Sequence, residues 1–162
     1  MKKYLVFTLS SLIAASILSA NETYSMNFDK ETVSLIRKIK VYKDPAWTAK
    51  IVTKENKEFY FISPKSLMEY YYNPAKWPET NVHKEEDLKA LVVTDYKTMK
   101  PIDAKKAFYV YGSHKVSLAG DDIPAFAQLD DAKKFMDENH GRRILKFSDL
   151  KEALIELLNG DI

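Results

Sequence analysis

Cysteine is absent from the 162 residues, and glycine is scarce, with four in the whole chain. Without a thiol there can be no disulfide, no thiolate metal ligand and no cysteine nucleophile. No glycine-rich phosphate loop, Ser-x-Gly elbow or His-Glu-x-x-His spacing occurs, so the common nucleotide, hydrolase and metalloprotease signatures are missing. Charge of one sign is lacking as well. The formal net charge is +2, from 25 basic and 23 acidic residues, and that excess is Lys2 and Lys3 at the extreme N-terminus. Beyond them the chain is formally neutral, which leaves no electrostatic footprint for nucleic acid or an anionic membrane surface. The acidic pairs Glu85-Glu86, Asp121-Asp122 and Asp130-Asp131 read as solvated faces or helix starts rather than as hydrolytic carboxylates. Nothing in this inventory supports an enzyme.

The only long apolar run stands at the beginning. Residues 1–20, MKKYLVFTLSSLIAASILSA, have a basic start, an apolar stretch from Leu5 to Leu18 and a small-residue exit at Ser19 and Ala20. The run is too short for a comfortable membrane span and has the layout of a cleaved secretory signal. The expected location is therefore periplasmic, with no cysteine near the cleavage point to carry a lipid. In such a compartment a chain without disulfides must rest on packing. Ten Tyr, eight Phe and two Trp supply the means, their polar tips favouring a wet-edged core.

Beyond the leader, the periodicities describe an α+β chain. Asn21 to Phe28 is polar and expected to be loose, and Asp29 is placed to cap a helix through about Lys38. Trp47 to Thr53 alternates apolar and polar residues, Glu55-Asn56-Lys57 forms a turn, and Phe59 to Ile62 returns as the second arm of a hairpin. Ser63-Pro64 supplies a cap followed by proline at the first helical position. Leu67, Met68, Tyr71 and Tyr72 then share a stripe until Asn73-Pro74. Ala90 to Thr94 is another strand. The order β-β-α-β recurs as Phe108 to Tyr111, Ile123 to Ala127, a helix on Leu129, Ala132, Phe135 and Met136 closed by Gly141, and Arg142 to Phe147. Ser148 is expected to cap a final helix ended by Asn159-Gly160. The units divide as 21–98 and 99–162, and their shared order suggests a duplication.

Six segments carry a family resemblance: PAWTAKIV (Pro45 to Val52), FYFISPKSLMEYYYNPAKW (Phe59 to Trp77), VTDYKTMKPIDAKKAFYVYGS (Val93 to Ser113), IPAF (Ile123 to Phe126), DAKKFMDENHG (Asp131 to Gly141) and ILKFSDL (Ile144 to Leu150). In this order and spacing the chain resembles NosL, the accessory lipoprotein family of nitrous oxide reductase. The resemblance implies two β-β-α-β units in tandem, a fold related to that of an organomercurial lyase. It also implies a periplasmic, non-catalytic role in delivering Cu(I) for assembly of the reductase, with the reductase or its assembly factors as partners. The alternative is a metal-free module that keeps the fold for interactions in a periplasmic assembly.

Family members hold the soft Cu(I) ion through sulfur, from a Cys-x-x-Cys-Gly-Met motif and from the Met of a Pro-Met-Gly turn. Spacing places Ser34-Leu35-Ile36-Arg37-Lys38-Ile39 on the first motif, with Ser34 and Arg37 at the cysteine positions, and Leu118-Ala119-Gly120 on the second. No family ligand carries over. Substitute soft donors are Met26, Met99 and His114, the last in the loop that contains the former Met position. Met68 and Met136 read as core, and His83 and His140 as solvated or helix-terminal. Asp95, Tyr96 and Asp103 read as a polar cluster that caps turns and joins the two units. Outward aromatics, Trp77 or Tyr70, are the candidates for partner contact.

Overall fold

The computed structural model describes residues 23–162, so the secretory leader assigned to residues 1–20 lies outside the described residues. The first unit comprises β1 (Ala49–Thr53), β2 (Glu58–Phe61), α1 (Pro64–Tyr72) and β3 (Leu88–Thr94). The second comprises β5 (Phe108–Tyr111), β8 (Ala125–Phe126), α2 (Leu129–Glu138) and β9 (Arg143–Lys146), followed by α3 (Glu152–Asn159). β4 (Pro101–Asp103) runs between the units, and a small hairpin of β6 (Val116–Ser117) and β7 (Gly120–Asp121) is inserted between β5 and β8. The sheets are ordered β2-β1-β3-β4 and β8-β5-β9. In each unit the first strand is central and pairs antiparallel with the second and the third. The two units are thus α+β modules of one topology in tandem. β4, which comes after the second unit's expected start at residue 99, hydrogen-bonds to the first sheet.

One core serves both units. Ile51, Phe61, Leu67, Met68, Leu91 and Val93 from the first pack in a single buried cluster with Tyr109, Ile123, Ala125, Leu145, Leu150 and Ile155 from the second. α1 starts as its sequence dictates: the Ser63 side chain accepts the Ser66 amide, Pro64 occupies the first turn, and the helix ends at Asn73. The outer face of the first sheet is also covered, because Tyr24 and Met26 pack on Val52, Ala90 and Val92. Residues 23–28 are therefore a packed strap rather than the loose segment expected from their polarity. The strap buries Lys50 completely and leaves its ammonium paired with Glu58 at 2.5 Å.

Three other local expectations are corrected. No helix follows Asp29. Its carboxylate accepts the amides of Glu31 and Thr32 at 2.8 Å in a tight turn, and the chain then folds back through the Val33 to Lys40 bridge. A left-handed Lys38, φ 54°, is incompatible with a continuing helix. Ser148 caps no helix: Phe147–Asp149 is a 3-10 turn and α3 begins three residues further on, after Lys151. Tyr70 is turned inward, fully buried, with its hydroxyl donating to Thr80 at 2.8 Å, and Trp77 is half-buried against it.

Asp95 joins the two sheets. Its Oδ1 accepts the amides of Lys97 and Thr98 at 2.9 and 3.3 Å, and its Oδ2 accepts that of Ala127 at 3.2 Å, across the junction. The neighbouring Tyr96 amide donates to the Ala125 carbonyl at 2.8 Å. The Tyr96 ring sits among Trp47, Phe126 and Phe135. With its side chain buried, Asp95→Ala leaves three amides without their acceptor. It is expected to lower unfolding free energy by about 3 kcal/mol, measured as a fall in the urea midpoint without a change in slope.

Candidate functional site

The two segments aligned with the family's ligand motifs converge in the structure. Ser34 to Ile39 forms a closed turn in which the Ser34 amide donates to the Ile39 carbonyl at 2.8 Å and the Lys38 amide to the Ser34 carbonyl at 3.2 Å. Lys38, at the position of the motif's glycine, keeps a positive φ of 54°, the conformation that glycine adopts without strain. Ala119 and Gly120 lie in the β6–β7 hairpin, and Gly120 has φ 86° at the glycine of the second motif. Ile39 and Ala119, at the two methionine positions, pack against the same buried group of Val41, Tyr60 and Ile62. The backbone brings the two motif segments together with hydrocarbon where thioether would stand.

Charge fills the remainder of this region. Arg37, at the second cysteine position, donates to Glu69 of α1 at 2.7 Å and to Asn159 of α3 at 3.1 Å. Ser34, at the first, is buried, and its hydroxyl accepts the Ile39 amide at 3.1 Å. Lys65 of α1 is 1% exposed and drives its ammonium between two carbonyls, Ala119 at 2.9 Å and Leu158 at 3.0 Å. Burial lowers the Lys65 pKa, Asp122 pulls it back up, and the charge of Arg37 opposes it. Asp122, read as solvated from its acidic neighbour, is in fact buried beside the helix start. It accepts the Lys65 and Ile123 amides at 2.9 Å and the Ser117 hydroxyl at 2.7 Å. Burial raises its carboxyl pKa even so. Two cationic side chains, Arg37 and Lys65, therefore border the place where the two segments meet.

The substitute donors are scattered. Met26 is half-buried in the strap over the first sheet. Met99 is 49% exposed in the β3–β4 turn, at φ 62°, its amide donating to the Asp95 carbonyl. His114 stacks on His140, ring centroids 4.7 Å apart. They lie in the strap, in the β3–β4 turn and in the loop between β5 and β6. Among the described residues no group of three or more His, Asp or Glu side chains is arranged to hold a metal ion. Sequence reasoning missed Lys65 and Asp122, whose burial follows from tertiary packing. It also missed His140 as the neighbour of His114, although strand register carries that signal.

A family model named NosL matches residues 25–155. The chain belongs to the NosL family. Its fold is similar to that of the copper chaperone NosL from Shewanella denitrificans, with a TM-score of 0.69 over 81% of this chain and 98% of that one at 19% identity. No curated protein matches significantly. At the positions assigned to the two motifs this chain carries Ser34, Arg37, Ile39 and Ala119, none of them a sulfur donor. No helix among the described residues is long and apolar enough to cross a membrane.

The ammonium of Lys65 is the tie between α1, the β6–β7 hairpin and the end of α3. Lys65→Met keeps the unbranched stem as far as the ε position and deletes the donors, stranding the Ala119 and Leu158 carbonyls. A loss of about 1–3 kcal/mol is expected, with amide hydrogen exchange accelerating first in the β6–β7 hairpin.

Proposed function

We propose that this chain is a periplasmic accessory protein of the NosL family that serves copper handling during assembly of nitrous oxide reductase. It works by binding a protein partner, without catalysis and without carrying Cu(I) between the two family motifs. Membership of the family and the likeness to a copper chaperone support the first part. The observation that carries the second is the convergence of the segments bearing Ser34, Arg37, Ile39 and Ala119, with no sulfur donor at any of the four positions. Cu(I) is a soft ion and selects thiolate and thioether sulfur. A guanidinium, a buried ammonium and aliphatic carbons offer it nothing and repel its charge.

A partner that recognises the shape of these loops needs no metal between them. The site surface of a copper donor must be presented to the acceptor in the transfer complex, and the same surface on a ligand-free relative fits the same partner. The periplasmic setting follows from the leader expected at residues 1–20, and it is where the family's client is assembled.

Anaerobic titration of the protein from residue 21 onward against a chromophoric Cu(I) chelator tests this reading. The native chain is expected to leave the chelator's copper untouched, whereas S34C/R37C/A119M, which returns sulfur to a backbone already in place, is expected to withdraw one equivalent. Stoichiometric binding by the native chain would overturn the metal-free mode. Abolition of that binding by joint replacement of Met26, Met99 and His114 would assign it to those donors.

A further inference from the structure

His114 and His140 come from different elements, the loop after β5 and the end of α2, and are set side by side by strand register. β5 and β9 pair with Tyr111 opposite Arg143. Continuing that register three residues past the strand end brings His114 opposite His140. Two backbone bonds hold the extension, Arg142 amide to Tyr111 carbonyl at 2.8 Å and His114 amide to Asn139 carbonyl at 3.0 Å. On the other side α2 ends in a tight C-terminal turn. The Gly141 amide donates back to Met136 at 2.8 Å, and the left-handed residue is His140, at φ 56°, not Gly141. Gly141 is required for a different reason, since a Cβ there would lie 2.6 Å from the Val110 side chain. A non-glycine residue at positive φ is uncommon. Here its side chain is carried toward His114.

The resulting ring centroids are 4.7 Å apart and the planes are inclined by 39°. Metal–imidazole nitrogen bonds of about 2.0–2.1 Å put each ring centroid about 3.2 Å from a shared ion, so two imidazoles on adjacent coordination positions lie about 4.5–5.2 Å apart. The observed spacing falls inside that interval. Both rings are exposed, so an ion can approach from solvent. His114 also lines a cleft of about 380 Å³ with Asp121, Asp122 and Arg142. Ser113 opens into the same cleft, and its hydroxyl is buried without a hydrogen-bond partner.

We propose that His114 and His140 form a two-imidazole site for a late first-row divalent ion, Cu(II) in preference to Ni(II) or Zn(II), following the usual order of affinity for nitrogen ligands. Two protein ligands leave the remaining positions to water or to a side chain from a second protein, so the ion is held for release rather than for structure. The pair lies outside the motif loop and makes no use of sulfur. It stands or falls independently of whether the chain serves nitrous oxide reductase.

Copper(II) sulfate added to the full mature chain, followed by electron paramagnetic resonance and by competition with glycine, tests the pair. One equivalent is expected, with hyperfine structure from two imidazole nitrogens. His114→Asn and His140→Asn are each expected to weaken it at least tenfold, and M26L/M99L to leave it unchanged. Both histidines are exposed, and circular dichroism of each variant verifies the fold. Binding unaffected by His140→Asn, or equal in native and H114N/H140N chains, would overturn the site and assign the copper to the N-terminal amine or to surface carboxylates.

Discussion

The buried carboxylate of Asp95 is the constraint on which the two halves depend. Each β-β-α-β unit has only three strands of its own and must cover one sheet face with the other unit. Asp95 fixes how they meet, accepting from its own turn with one oxygen and from Ala127 of the second unit with the other. The Tyr96 to Ala125 bond and the aromatic cluster of Trp47, Tyr96, Phe126 and Phe135 extend the same seam. With the seam set, the shared core from Ile51 to Ile155 closes without disulfides, and α1 and α3 come into place beneath the motif loops. The site geometry is therefore downstream of a hydrogen-bonded junction remote from it.

Where the Ser34–Ile39 turn meets the β6–β7 hairpin, backbone and side chains have separate roles. Lys38 and Gly120 hold left-handed conformations that shape the two turns. The donor atoms have been replaced by three kinds of contact: aliphatic packing through Ile39 and Ala119, an ion pair from Arg37 to Glu69, and the buried ammonium of Lys65. A lysine at φ 54° costs more than glycine would, so the surrounding turn, closed by the Ser34–Ile39 and Lys38–Ser34 backbone bonds, must hold it there.

The strands and helices with strong periodicity were legible before any coordinates. The Trp47 to Ile62 hairpin, the Ser63-Pro64 helix start and the Asn159-Gly160 stop all rest on local rules, and local rules held there. The segment from Asp29 to Lys38 was not legible, because the same Asp that begins a helix also closes an Asx turn, and the left-handed Lys38 that decides between them is invisible as a residue type. Ser148 failed similarly, a good cap standing three residues too early. The three-residue β4 and the β6–β7 hairpin are too short to have a period. Tyr70 and Asp122 were misplaced because their burial is set by Thr80 and by the α1 terminus, each a partner that only the folded chain supplies. Met26 was legible as a soft donor but not as part of a strap. His140 was legible as a helix end but not as half of a pair.

Lys65 has one more consequence. A metal ion can be withheld, exchanged or oxidised, whereas an ammonium tethered to α1 is delivered with the polypeptide itself. The joint between α1, the β6–β7 hairpin and α3 is completed as soon as the chain folds, with no dependence on nutrient supply. The surface around this joint is therefore written into the polypeptide and stays the same whatever metal is at hand.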